Sequence, residues 1–84
     1  MSNAVYRWII NKDHIHAHAK GVQGPSNADK SVTSNPAEFQ IADDDGMIYF
    51  EGVLYGDYDG FEPLDDFGTP AAGATQIKLN GEWL

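Results

Sequence analysis

The sequence predicts a mainly β domain: a small, curled antiparallel sheet of four to five strands with at most one short helix, a β-rich α+β arrangement being the alternative. Three observations carry this. Residues 5–10 (VYRWII) form a β-branched and aromatic run that stops at Asn11-Lys12-Asp13. Residues 38–42 and 47–55 are alternating segments joined by an Asp-rich turn that ends on Gly46. Asn80-Gly81 separates residues 75–79 from residues 82–84, and Asn-Gly favours the tight type I′ turn whose twist matches paired strands.

The elements follow in order. In the first strand Tyr6, Trp8 and Ile10 share one face and Val5, Arg7 and Ile9 the other, so it is a candidate central strand. Residues 14–19 (HIHAHA) alternate with period two, which favours an extended segment; a short helix capped by Asp13 is the alternative. Residues 21–35 are rich in Gly, Ser, Asn and Thr and read as loop. Asn35-Pro36-Ala37-Glu38 has the residues that open a helical turn, but the apolar residues after it argue for a strand. Phe39 and Ile41 alternate on one hairpin arm. Ile48, Phe50 and Leu54 alternate on the other, with Tyr49, Glu51 and Tyr55 facing the opposite way. Residues 56–73, interrupted by Pro63, Gly68 and Pro70, read as irregular. Trp83 and Leu84 are expected to close the core.

Eighty-four residues make one domain, 1–84. Two Trp, four Tyr and four Phe within 42% apolar residues suffice for a compact core. The absence of Cys excludes disulfides and thiolate zinc sites. Thirteen acids against five bases give a net charge of −8. That balance disfavours direct binding of nucleic acid or of an anionic membrane and points to a basic partner. No run reaches the ~18 apolar residues of a membrane-spanning helix, and no secretion signal is recognisable, so the expected place is the cytoplasm.

The densest chemistry lies in residues 43–66, which hold nine carboxylates, five aromatic residues and no Lys or Arg. An acidic tail would have few aromatics, so this reads as a folded element with one strongly negative surface. On an extended segment Asp57 and Asp59 project to one side, roughly 6.6–6.8 Å apart. B-form DNA carries one phosphate per about 3.4 Å of each strand, so rows of carboxylates on rigid strands approximate a phosphate row. Asp57, Asp59, Glu62, Asp65 and Asp66, with Tyr55, Tyr58 and Phe61 as aromatic anchors, are the expected partner-binding residues; Phe67 is a further aromatic beside them.

Metal chemistry is the alternative. Placing Gly60 at position 6 of a calcium loop puts Asp57, Asp59 and Asp66 at ligand positions 3, 5 and 12, but Tyr55 fails at position 1. The register on Gly46 fails at Ile41 and Gly52. A looser calcium site would use Asp57, Asp59, Glu62, Asp65 and Asp66. His14, His16 and His18 share a face if extended and are candidate transition-metal ligands, with Asp13 to complete a set. No Cys nucleophile, no G-x-S-x-G and no phosphate-cradling Gly loop is present. The expectation is therefore a protein that is not an enzyme and needs no cofactor.

The segments FQIADDDGMIYFEG (39–52) and FEPLDDFGTPAAG (61–73), with NGEWL at the end, resemble a small bacterial and phage-associated family of acidic proteins. In type, without a shared motif, the chain is also similar to phage-encoded inhibitors of bacterial defence, the anti-CRISPR and anti-restriction proteins, some of which mimic DNA. That resemblance implies a non-enzymatic inhibitor that occludes a basic, nucleic-acid-binding surface of a partner protein.

Overall fold

The computed structural model describes residues 5–84, so Met-Ser-Asn-Ala, to which the sequence assigns no structural weight, lies outside the described residues. Six antiparallel strands form one sheet: β1 (Tyr6–Asp13), β2 (Gln23–Gly24), β3 (Ala37–Ala42), β4 (Ile48–Gly56), β5 (Gln76–Leu79) and β6 (Glu82–Trp83). Their spatial order is β2-β1-β4-β3-β5-β6. The mainly β architecture is the expected one. The sheet exceeds the expected four or five strands because β2, a two-residue edge piece within residues read as loop, is too short to show a pattern, whereas β6 is the expected short second arm of the last hairpin. Such short edges leave little unpaired backbone for another chain to extend.

Both hairpins form where their turn residues place them. In the β3–β4 turn the Asp43 carboxylate accepts the amides of Asp45 and Met47, and Gly46 takes φ +83°. In the β5–β6 turn Asn80 and Gly81 both have positive φ, 50° and 85°, as a type I′ turn requires. The Asn80 side chain also accepts the Glu38 amide, tying this turn to the start of β3.

Alternation then sorts the side chains. Trp8, Ile10, Phe39, Ile41, Phe50, Leu54 and Ile77 share one face through the registers Trp8↔Leu54, Phe39↔Gly52 and Ile41↔Phe50, and all are buried. The strand β1 runs past the expected stop at Asn11 because a bulge there restores pairing at Lys12↔Glu51.

The core face is covered by residues the sequence reads as irregular. Leu64–Gly68 winds as a π-helix, with the Thr69 amide bonded to the Leu64 carbonyl, and one α-helical turn, α1 (Thr69–Ala72), completes it. Glycine and proline hide this helix from a propensity reading, yet each has a place in it. Pro63 is the N-cap residue, Pro70 lies in the first turn of α1, and Gly73 closes α1 with φ +68°. A Cβ on Gly68 would stand 2.7 Å from Ile41 Cγ2, so the helix seats on the sheet only without one. Phe67 packs on Trp8 and Phe50, at 5.6 and 5.2 Å between ring centroids.

One further expectation changes. Trp83 and Leu84 do not close the core; they are 44% and 49% exposed. The Trp83 residue pairs with Lys78 on the uncovered face, which is what β6 alternation dictates. At Asn35, with φ 52°, no helical turn forms, and the strand indicated by the residues after it, β3, begins at Ala37.

Candidate acidic docking surface

The nine-acid run of residues 43–66 does not make one surface. The nine-residue β4 lies between its halves, and nine residues of strand span roughly 27–30 Å. Asp43, Asp44 and Asp45 sit at the hairpin turn that begins β4. Glu51 sits midway and faces the uncovered side of the sheet. Asp57, Asp59, Glu62, Asp65 and Asp66 follow the other end.

These last five gather at a corner where β1 starts and β4 stops. The Asp57 amide donates to the Val5 carbonyl beside Tyr6. The Glu62 carboxylate accepts the amides of Asp59 and Gly60 at 2.8 and 2.7 Å, closing that loop on itself. Asp66 accepts from the Tyr6 hydroxyl at 2.8 Å and from Trp8 Nε1 at 3.0 Å. The wide π turn thus sets consecutive Asp66 and Phe67 both against Trp8, the carboxylate at its polar edge and the ring on its body. Burial raises the Tyr6 phenol well above its usual value, and the bond to Asp66 and the charges of Asp66, Glu62 and Asp65 add to this. Three of the five acids therefore act on one hydroxyl.

Their roles differ. Glu62 and Asp66 are engaged in holding the fold. Asp57, Asp59 and Asp65 are exposed, and no side-chain hydrogen bond is made by them among the described residues. Phe61 is 45% exposed beside them. Tyr58 is half-buried and donates its hydroxyl to the Asn35 carbonyl. The sequence groups Tyr55 with the acids, but Tyr55 lies on the opposite side of the sheet under the Arg7 guanidinium, 4.3 Å from its ring centroid. Leu84, which the sequence assigns to the core, reaches the corner instead, against Gly60.

The histidines also differ from expectation. Residues 14–19 form a loop, with His16 and His18 at φ 55° and 56°. Left-handed residues at alternate positions produce the same period of two as a strand. Here they turn the amides of Ile15, Ala17 and Ala19 toward the Asp13 carboxylate, a small anion-holding nest filled by the chain's own acid. His14 leaves the group and faces Glu51, with Nε2 2.6 Å from Oε2. Among the described residues no three His, Asp or Glu side chains come together as a metal-holding set. None of the described helices is long and apolar enough to cross a membrane.

These carboxylate roles set an expected pH response. The Ala19 amide first, then those of Ile15 and Ala17, hold Asp13 below the usual carboxylate range. The Met47 amide does most to lower Asp43, and Gln40, then His14, lower Glu51. A carboxylate with a lowered folded-state pKa contributes stability above its unfolded value, near 4, and loses it as pH falls further. A phenol with a raised pKa contributes below about 10 and loses it as pH rises. Tyr6 is one such group, and Tyr49, raised chiefly by its bond to Asp43, is another. Thermal melts should be flat between these limits and fall outside both. Tyr6→Phe should soften the alkaline limb and leave the acid limb unchanged; an unaltered alkaline limb would remove Tyr6 from this role.

Comparison of the chain with protein-family models, curated proteins and solved structures gives no match, so the geometry above is what a functional reading rests on.

Proposed function

We propose that the chain is a non-enzymatic binding protein whose acidic corner docks on a basic, nucleic-acid-binding surface of a partner protein and occludes it, in the manner of a phage-type inhibitor. The observation that supports this reading is the convergence of Asp57, Asp59, Glu62, Asp65 and Asp66 at one corner, with the Glu62 and Asp66 carboxylates fixed by hydrogen bonds. Charges held in place lose little entropy on binding, which favours complementary pairing with an arginine- or lysine-lined groove. Phe61 and Leu84 add exposed apolar area beside the charge. Tyr55 has no part in this surface, and Tyr58 contributes by bracing the loop.

Asp57 and Asp59 are the residues to reverse, because Asp66 also holds Trp8. Affinity capture from a bacterial lysate, with immobilised wild type and Asp57→Lys/Asp59→Lys side by side, tests the proposal. Wild type should retain a basic protein that duplex DNA displaces, and raising salt should release it, since exposed charge pairs are screened within about 8 Å at physiological ionic strength. The double variant should melt like wild type and lose the partner. Capture that survives the reversal, or that DNA does not compete, overturns the proposal.

A further inference from the structure

The uncovered face of the sheet carries a pattern the acidic corner does not use. Strand register lines up Lys12, Glu51, Gln40 and Lys78 across β1, β4, β3 and β5, with Trp83 next on β6. Behind that row stand Ile9, Val53 and Glu38, and behind those Arg7 and Tyr55. A groove of about 320 Å³ runs between the first two rows, lined by Lys12, Gln40, Glu51 and Val53 among others.

Three of the chain's five Lys and Arg residues, including its single Arg, are therefore on this face. In a molecule with thirteen acids they make no ion pair with a carboxylate among the described residues; the one ion pair there is His14–Glu51. Two of the cations are held by aromatic rings instead. The Arg7 guanidinium lies over Tyr55, and its Nε donates to the Val32 carbonyl. Lys78 Nζ lies 4.7 Å from the Trp83 ring centroid. A stacked, anchored guanidinium keeps its outer N–H edge for an external acid. Glu51 bonds Gln40 and His14 through its two oxygens and also acts on the charge of Lys12, its cross-strand neighbour, so it offsets part of the row. Glu38 is the remaining carboxylate on this face.

We propose that this face docks the acidic corner of a second copy of the chain. The two surfaces are complementary. One offers Arg7 and Lys78, which make no ion pair with a carboxylate among the described residues, and Lys12, whose carboxylate neighbour Glu51 is shared with Gln40 and His14. The other offers Asp57, Asp59 and Asp65 without cationic partners among the described residues, with Phe61 exposed in the same stretch of chain. The contact is heterologous, corner to face, so both surfaces of every molecule can be used. It rests on the reading of the corner as a binding surface and adds a consequence for it: self-docking masks the corner until a partner competes. The paired part of the sheet, about six residues long and five strand spacings wide, covers roughly 500 Å² in projection. That is below the ~800 Å² per partner of a stable complex, so the association belongs to the weak, transient class. Net charge opposes it at very low salt, and screening of the contacts themselves ends it near 1 M, where the Debye length is about 3 Å.

Sedimentation velocity tests this without any partner. At physiological salt the wild-type sedimentation coefficient should rise with protein concentration, and the rise should vanish near 1 M salt. Asp57→Lys/Asp59→Lys, which spoils the corner, and Lys12→Glu/Lys78→Glu, which spoils the face, should each stay monomeric. An equimolar mixture should associate again, because one variant supplies an intact face and the other an intact corner. If Lys78→Glu impairs folding, Lys12→Glu alone should weaken association by about tenfold or less, as expected for one exposed pair. A wild type that stays monomeric at every concentration, or a mixture of folded variants that stays monomeric, overturns self-docking. Neither result touches the capture experiment, which tests the partner reading separately.

Discussion

Gly52→Ala should cost at least ~3 kcal/mol, a large share of the 5–15 kcal/mol available to a domain of this kind. Gly52 lies mid-way along β4, between Ile10 on one neighbour and Phe39 on the other. A Cβ there would stand 2.0 Å from the Ile9 carbonyl oxygen and 2.6 Å from the tip of the Phe39 ring. The ring could rotate, but the carbonyl belongs to the backbone of β1, so relief requires the two central strands to separate. Gly73→Ala is the control. Gly73, unlike Gly52, has positive φ, but nothing lies near its missing side chain, so the same change should cost only about 1 kcal/mol of conformational strain. Urea unfolding of both variants decides the point, and equal losses would show that the clash is absorbed.

Phe50→Ala is the second large effect. Phe50 has no exposed surface, sits opposite Ile41, and carries the Phe67 ring edge-on at 5.2 Å. Truncation of a buried Phe costs about 3–5 kcal/mol through lost burial and the cavity left behind. In a domain of 60–100 residues each kcal/mol moves the melting temperature by roughly 4–8 °C, so the loss should exceed about 10 °C. Because Phe67 lies one residue from Asp66, loosening the helix should also disturb the acidic corner. The binding measured with Asp57→Lys/Asp59→Lys as reference should therefore weaken in Phe50→Ala before the domain unfolds. A melting loss of only a few degrees would mean that the helix is not seated on Phe50.

The parts of the fold legible in sequence are those fixed locally. The Asp43–Gly46 and Asn80-Gly81 turns specify their own geometry, and the alternation of Tyr6, Trp8 and Ile10 identifies their shared face without knowledge of any neighbour. The rest depended on contacts. HIHAHA fits a strand and an amide nest equally well by period, and only the position of the Asp13 carboxylate separates them. The helix is written in glycine and proline because its close approach to Ile41 excludes a Cβ at Gly68. The acids of residues 43–66 are neighbours along the chain, but a strand running between them carries the two groups to opposite ends of the sheet. The five that stay together were legible as a group. That Glu62 and Asp66 are fastened, while Asp57, Asp59 and Asp65 are displayed, was not.

The position of β1 has a consequence for how the chain comes together in time. It supplies Trp8 and Ile10 to the interior, yet its principal partner is β4, about forty residues later. The β3–β4 hairpin, by contrast, closes through a short turn of its own. Closing a short loop is fast, whereas a distant pairing must wait for the entropy of a long loop to be overcome. The hairpin is thus the natural nucleus, with β1 docking onto an edge already formed. During synthesis the sticky VYRWII segment emerges before the β3–β4 hairpin that covers it, so it stays open to aggregation until β4 has been made.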